Sequence, residues 1–355
     1  MAGQSTAYDT LSKGSTILIT GINGMIASHC ADQALRHGYK VRGTTRSLEK
    51  NSWMPELFDK KYGSGLFELV KVEDMQQPGA FNEAMQGCSA VMHTASIVTF
   101  DPDPDKVIPA TVAGIQEVLK CAANTPSVKR VVYTSSQAAV RSSTETPLVV
   151  SQDTWNDQAI QMTSDRSQLT SIDEFMQGAV VYAASKTLAE KTCFEFVERE
   201  KPHFVLNTVC PNYNTGPSIH PTQPASSSGL LKLAFLGDPR PLGFLTMMGG
   251  LNYIDVRDDA SLHLAAAIFD DVKNERIWGM AGEFNYNDII DLFGKYDPKW
   301  QKVEKIEDVR DKTVYDVSRS IELLKRLGCD GWISLEDSIR ANLADESSAI
   351  SNIIS

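Results

Sequence analysis

The stretch Thr16-Ile17-Leu18-Ile19-Thr20-Gly21-Ile22-Asn23-Gly24-Met25-Ile26-Ala27 decides the fold. Its first five residues read as a short strand, apolar without the polar alternation of a half-exposed one. The chain then passes into Gly-x-x-Gly-x-x-Ala, after which Ile26, Cys30 and Ala34 recur at the spacing of one helical face. Glycines let the backbone turn sharply and approach a pyrophosphate, whose charge is met by the N–H groups and dipole of the helix N-terminus. The first interval is one residue longer than in the Gly-x-Gly-x-x-Gly fingerprint. Gly21, Asn23, Gly24, Met25 and Ile26 are therefore the expected phosphate cradle.

Similar apolar runs follow at Lys40–Thr44, Phe67–Lys71, Ala90–Thr94, Arg130–Thr134 and His203–Cys210, with the first run extending over Ser15–Thr20. Helical-period segments such as Ile26–His37 and Ile115–Ala123 lie between them. This alternation predicts an α/β fold: a Rossmann-type, doubly wound parallel sheet with a smaller, mostly C-terminal substrate-binding lobe. The dinucleotide-binding domain is expected over 12–210, with 252–282 returning to it; 211–251 and 283–345 would form the lobe. Two stretches break the rhythm. Ser142–Gly178 is polar and is expected to wrap the surface beside the site, and the Pro-, Gly- and Ser-rich Pro211–Gly250 is expected to be a functional loop.

The 355 residues carry a formal net charge of −11, which argues against nucleic acid or an anionic membrane as partner. The six cysteines are far apart, without paired spacing, and read as reduced and mostly buried. A polar N-terminus and the absence of any apolar run of roughly 18 residues predict a cytoplasmic protein; a monomer or homodimer is expected. No His/Cys/Asp grouping has metal-ligand spacing, so no metal is expected.

The end of the second strand discriminates between nicotinamide cofactors, because an acid there accepts from ribose hydroxyls while a base accommodates a 2′-phosphate. Here the chain reads Val41-Arg42-Gly43-Thr44-Thr45-Arg46-Ser47, with no acid before Glu49. Arg46 is the candidate for bidentate phosphate contact, Lys50 a looser point charge, and Arg42 belongs to the opposite face. NADPH is accordingly the expected cofactor.

In Tyr182-Ala-Ala-Ser-Lys186 the i, i+4 spacing sets phenol and ammonium on one helical face. A fixed positive charge is expected to lower the phenol pKa from about 10. A hydroxyl for the substrate oxygen is expected at the end of the fifth strand, where Ser136 is the choice and Ser135 stays open. His93 and His263 read as packed structural histidines, and Asp101-Pro-Asp-Pro-Asp105 as a solvated turn opening a helix.

With these motifs in order, the chain resembles the extended short-chain dehydrogenases, within them the dihydroflavonol-reductase-like group that includes fungal aldehyde and carbonyl reductases. Gly38–Arg46, Val72–Met75, His93–Ser96, Asp153–Trp155, Pro211–Tyr213 and Tyr253–Asp258 carry the likeness, over roughly residues 12 to 340. The resemblance implies that Asp74 and Met75 flank the adenine and that Ala95 and Ser96 lie along the cofactor. It also implies that Pro211 and Asn212 border the nicotinamide, and that Asp255, Arg257 and Asp258 link the lobes. The active-site asparagine of many short-chain members is missing from Ala110–Gly114.

The expected function is NADPH-dependent, stereoselective reduction of a hydrophobic aldehyde or ketone, with Tyr182 as general acid, Lys186 and Ser136. The substrate pocket is expected from Ile97, Val98, Phe100, Gln137, Tyr213, Phe235, Leu245, Met247 and Leu251. A nucleotide-sugar epimerase or dehydratase with tightly bound NAD, and a non-catalytic NADP sensor, are the competing readings.

Overall fold

The computed structural model describes residues 10–96, 100–142, 146–221, 223, 227–300 and 303–344. Its main sheet contains β1 (Thr16–Thr20), β2 (Lys40–Thr45), β3 (Phe67–Lys71), β4 (Cys88–His93), β5 (Arg130–Thr134), β6 (Val205–Pro211) and β7 (Arg276–Gly279). All neighbours are parallel, in the order β7-β6-β5-β4-β1-β2-β3. The order reverses between β1 and β4, so the crevice for a ligand opens beyond their carboxyl ends.

Alternate residues of β1 go to opposite faces, and each face has its own helical cover. Ile17 and Ile19 pack with Ala31 and Ala34 of the Met25–Arg36 helix and with Leu264 and Ala267 of the Val256–Ile268 helix. Leu18 packs on the other side with Ile115 and Leu119 of the Pro104–Ala123 helix and Ala189 and Cys193 of the Glu174–Glu200 helix. The predicted aspartate turn caps the Pro104–Ala123 helix: Asp103 accepts from the Asp105 amide, with Pro104 at the first position.

A second apolar core lies between a three-stranded sheet (Tyr213–Thr215, Leu251–Asp255, Gly282–Phe284) and helices Ser227–Phe235, Pro239–Met248, Tyr286–Tyr296 and Leu335–Ala344. The stretches read as loops are thus more ordered than expected. Ser142–Gly178 contains helices Asp157–Ser164 and Arg166–Thr170 and the start of the Glu174–Glu200 helix, and Pro211–Gly250 holds a strand and two helices. Side-chain caps from Asn156, Asp165 and Asp173 start the former, replacing the hydrophobic periodicity that was absent. The cysteines are unpaired; five are buried and Cys329 is half-buried. Among the described residues, no helix is long and apolar enough to cross a membrane, and no three His, Cys, Asp or Glu side chains cluster as metal ligands do.

Candidate active site

The glycine turn is built by contacts on both sides. Gly21 has φ +63°, and a β-carbon there would stand 3.1 Å from Ala95, which follows β4. Thr20 holds that neighbour, its hydroxyl accepting from the Ala95 amide at 3.1 Å. The Met25–Arg36 helix begins at Gly24 with no side-chain cap, so its first amides are free for an anion. Gln223, from the lobe, covers the turn: its amide donates to Asn23 O, Gly24 O and Ser28 Oγ. Met25 receives a hydrogen bond from Ser228 at its sulfur, and Ile26 packs on the main-sheet core. The Cβ-free bend and uncapped helix therefore fit a dinucleotide pyrophosphate.

Arg46 is exposed just beyond β2, as is Lys50, and neither makes an ion pair among the described residues. Arg42 turns to the other face, donating to Glu68 at 2.6 Å and to the carbonyls of Ala84 and Gln86 at 2.8 Å each. Asp74 is exposed and accepts from the Gln76 amide and the Gln77 side chain, each at 2.9 Å. Met75 lies against Gly114 of the Pro104–Ala123 helix. Ser96 Oγ, Gln137 Nε2 and Asn212 Nδ2 are buried without hydrogen-bond partners. All three follow carboxyl ends of central strands, so these orphaned polar atoms fit a polar ligand lying across the sheet edge.

The Glu174–Glu200 helix carries Tyr182 and Lys186 into this edge. The Lys186 ammonium is buried, donating to Thr134 O at 2.9 Å and lying 4.9 Å from the centre of the Tyr133 ring. Burial lowers its pKa to about 8, with Glu190 pulling upward. The Tyr182 phenol departs from expectation. Burial raises its pKa, the Ser136 hydroxyl pulls the other way, and Lys186 is not among the causes. The ammonium is engaged by Thr134 and Tyr133, so desolvation dominates the phenol.

The two serines have different surroundings. Ser135 Oγ donates to Glu190 Oε2 at 2.8 Å, whereas Ser136 stands beside the phenol and accepts from the Ala138 amide at 3.1 Å. Glu190 is a hub the sequence reading missed. It also accepts from Thr208 at 2.6 Å and from both Arg276 Nε and an Arg276 terminal nitrogen at 3.0 Å. Its place one helical turn beyond Lys186 was the available signal. Arg276 in turn lies 3.7 Å from the Trp155 ring centre. His93 and His263 are packed: His93 bonds Thr20 at 2.8 Å and is pushed down to about 3 by burial, and His263 bonds Thr134 at 2.7 Å.

Of the expected pocket residues, Phe100 stands with its ring 5.6 Å from Tyr182, and of two unforeseen residues Phe175 stacks on it and Phe244 meets it edge-on. Tyr213 reaches this group through Phe244 at 6.3 Å. Phe235 packs instead with Phe293, Tyr296 and Trp300, Leu245 and Leu251 are buried in the lobe core, and Met247 is exposed. Apolar character chose these four, and lobe packing accounts for it in three of them. Ile97 and Val98 lie outside the described residues.

Residues 17–277 match the model of a family described as NAD dependent epimerase/dehydratase. The chain belongs to that family. These are the extended short-chain dehydrogenases, as the motifs implied. The chain is 37% identical to aldehyde reductase 2 of Sporidiobolus salmonicolor over 340 residues, 95% of this chain and 97% of that protein. It is 38% identical to the NAD-dependent epimerase/dehydratase terH of Aspergillus terreus over 328 residues, 92% of this chain and 95% of that protein. The solved structure of yeast methylglyoxal/isovaleraldehyde reductase Gre2 complexed with NADPH superposes with a TM-score of 0.75. That match is 26% identical and covers 93% of this chain and 97% of the other.

Proposed function

We propose that this protein is an NADPH-dependent carbonyl reductase that converts a hydrophobic aldehyde or ketone to the alcohol stereoselectively. The carrying observation is the half-buried Tyr182, its phenol beside Ser136, on the helical face of Lys186 and at the sheet edge where the glycine turn opens. Two relatives named as aldehyde reductases, one solved with NADPH, support the same reading.

When bound, NADPH supplies the hydride. Gly21, Gly24 and the amides of Met25 and Ile26 would hold its pyrophosphate, and Arg46 and Lys50 its 2′-phosphate. Ser96, Pro211 and Asn212 would border the nicotinamide half. Tyr182 donates its proton to the carbonyl oxygen, and a raised pKa keeps the phenol protonated for that task at neutral pH. Ser136 hydrogen-bonds the same oxygen as negative charge develops. Lys186 would place an ammonium near the ribose, and Phe100, Tyr213 and Phe244 would give the carbonyl an apolar, one-sided approach.

Mixing the purified protein with NADPH and a panel of aryl ketones, aldehydes and β-keto esters should consume reduced cofactor. No turnover together with copurified NAD would point to the epimerase or dehydratase chemistry instead. Silent NADP binding would point to a sensor.

A further inference from the structure

We propose that Gly178 is a positioning residue that sets the substrate-size preference of the site by seating Phe100 against the catalytic helix; this rests on the reductase reading above. Gly178 lies inside the 27-residue Glu174–Glu200 helix, four residues before Tyr182 and so on the same face. Glycine within a helix costs about 1 kcal/mol relative to alanine, and no turn or kink at this point calls for it.

Its neighbour explains it. A β-carbon at position 178 would stand 2.1 Å from the Phe100 carbonyl oxygen, 2.8 Å from its carbonyl carbon and 3.3 Å from its Cα. These are backbone atoms, which cannot swing aside as a side chain does. Phe100 itself has φ +48°, a left-handed conformation unfavourable for a bulky residue. Its side chain stays partly in solvent, at 36% exposure, so core packing does not account for the strain. What the strained residue does is bring its ring to 5.6 Å from Tyr182, 6.0 Å from Phe175 and 6.5 Å from Phe244. Two locally unfavourable choices, a helix-interior glycine and a left-handed phenylalanine, meet in the contact that roofs the proton donor. Local rules broken together in this way mark functional geometry.

Any side chain at 178 forces Phe100 to retreat until the contact reaches at least 3.0 Å, lifting the roof from Tyr182. The site then loses its grip on compact substrates and admits bulky ones. The test compares the parent, Gly178→Ala, Phe100→Ala and the double variant. It reads kcat/KM for a compact aliphatic aldehyde and for an aryl ketone, the NADPH dissociation constant, and a crystal structure of Gly178→Ala. Expected are a displaced Phe100, an unchanged NADPH dissociation constant, and a shift of about tenfold in the aryl-to-aliphatic ratio. Phe100→Ala should give the same shift, and the double variant no further one, because both changes remove one contact. Should Gly178→Ala fail to fold, the ratio in Phe100→Ala decides alone. Phe100 unmoved in Gly178→Ala, or an unshifted ratio, overturns the proposal. A parent inactive on every carbonyl fails differently, bringing down the reductase reading and this proposal with it.

Discussion

Tyr182 and Lys186 share a helical face, yet burial drives their pKa values in opposite directions, because one is charged when deprotonated and the other when protonated. The consequence for reduction is a fixed order of titration. The phenol stays protonated throughout the physiological range, while the ammonium loses its proton as pH rises through about 8. The charge that Lys186 is proposed to offer the ribose is present below that pH and lost above it. kcat/KM for NADPH should therefore decline from neutrality into the alkaline range with a midpoint near that of Lys186; a flat profile would separate the lysine from cofactor binding. Replacing Tyr182 by Phe removes the proton but keeps the ring, so kcat should fall about a hundredfold or more with the NADPH dissociation constant nearly unchanged. Retained turnover would refute the acid assignment. At the other end of the crevice, Arg46→Ala should raise KM for NADPH about tenfold or more and that for NADH hardly at all, since only one cofactor carries the 2′-phosphate. Equal effects would remove this arginine from nucleotide choice.

Six of the seven main-sheet strands and the glycine bend were legible because they are local, short apolar runs with a helix pattern close behind; the four-residue Arg276–Gly279 was not among the runs read as strands. What supports the bend was not legible, since it comes from segments far apart in the chain. Gly43, in the middle of β2, is one such support. A β-carbon there would meet Ile22 Cγ1 at 2.4 Å and Ile22 Cβ at 2.8 Å, so the bend sits on the bare backbone of the next strand. Gln223 is another, reaching the same bend from about two hundred residues away. Likewise, four apolar residues of the expected pocket could not be told from lobe core or surface by composition, whereas Phe100 stands beside Tyr182. Gly43→Ala should destabilise the fold by about 1–3 kcal/mol through overpacking. It should also weaken NADPH binding, although position 43 belongs to no expected contact, because Ile22 lies between the two glycines. Unaltered affinity, measured by fluorescence titration at a temperature where the variant is folded, would show that the bend tolerates the shift.

Across the whole molecule, the main sheet and the lobe are joined where β-structure passes into the Val256–Ile268 helix. Asp255 accepts from Arg257 at 2.7 Å and 2.8 Å and from Ser338 of the lobe's last helix at 2.5 Å. Asp258, on the helix's first turn, accepts from the Ile333 amide at 2.8 Å, tying down the segment that leads into that last helix. Burial raises Asp258 to about 7; the Ile333 amide opposes the shift, Asp255 and Asp259 add to it, and Arg257 opposes it. An unfolded aspartate titrates near 3.8, so between that value and about 7 the folded chain binds the extra proton. Asp258 therefore favours the fold at acidic pH, and its contribution is lost as pH rises through the folded-state value. Asp258→Asn keeps an oxygen to accept from Ile333 while removing a buried charge from between two other aspartates. It should raise the melting temperature most at pH 8, less at pH 5, and flatten the dependence in between. Thermal unfolding of parent and variant across that range checks this. Parallel curves would mean that the carboxyl is ionised in the fold and that the junction draws its pH response from elsewhere.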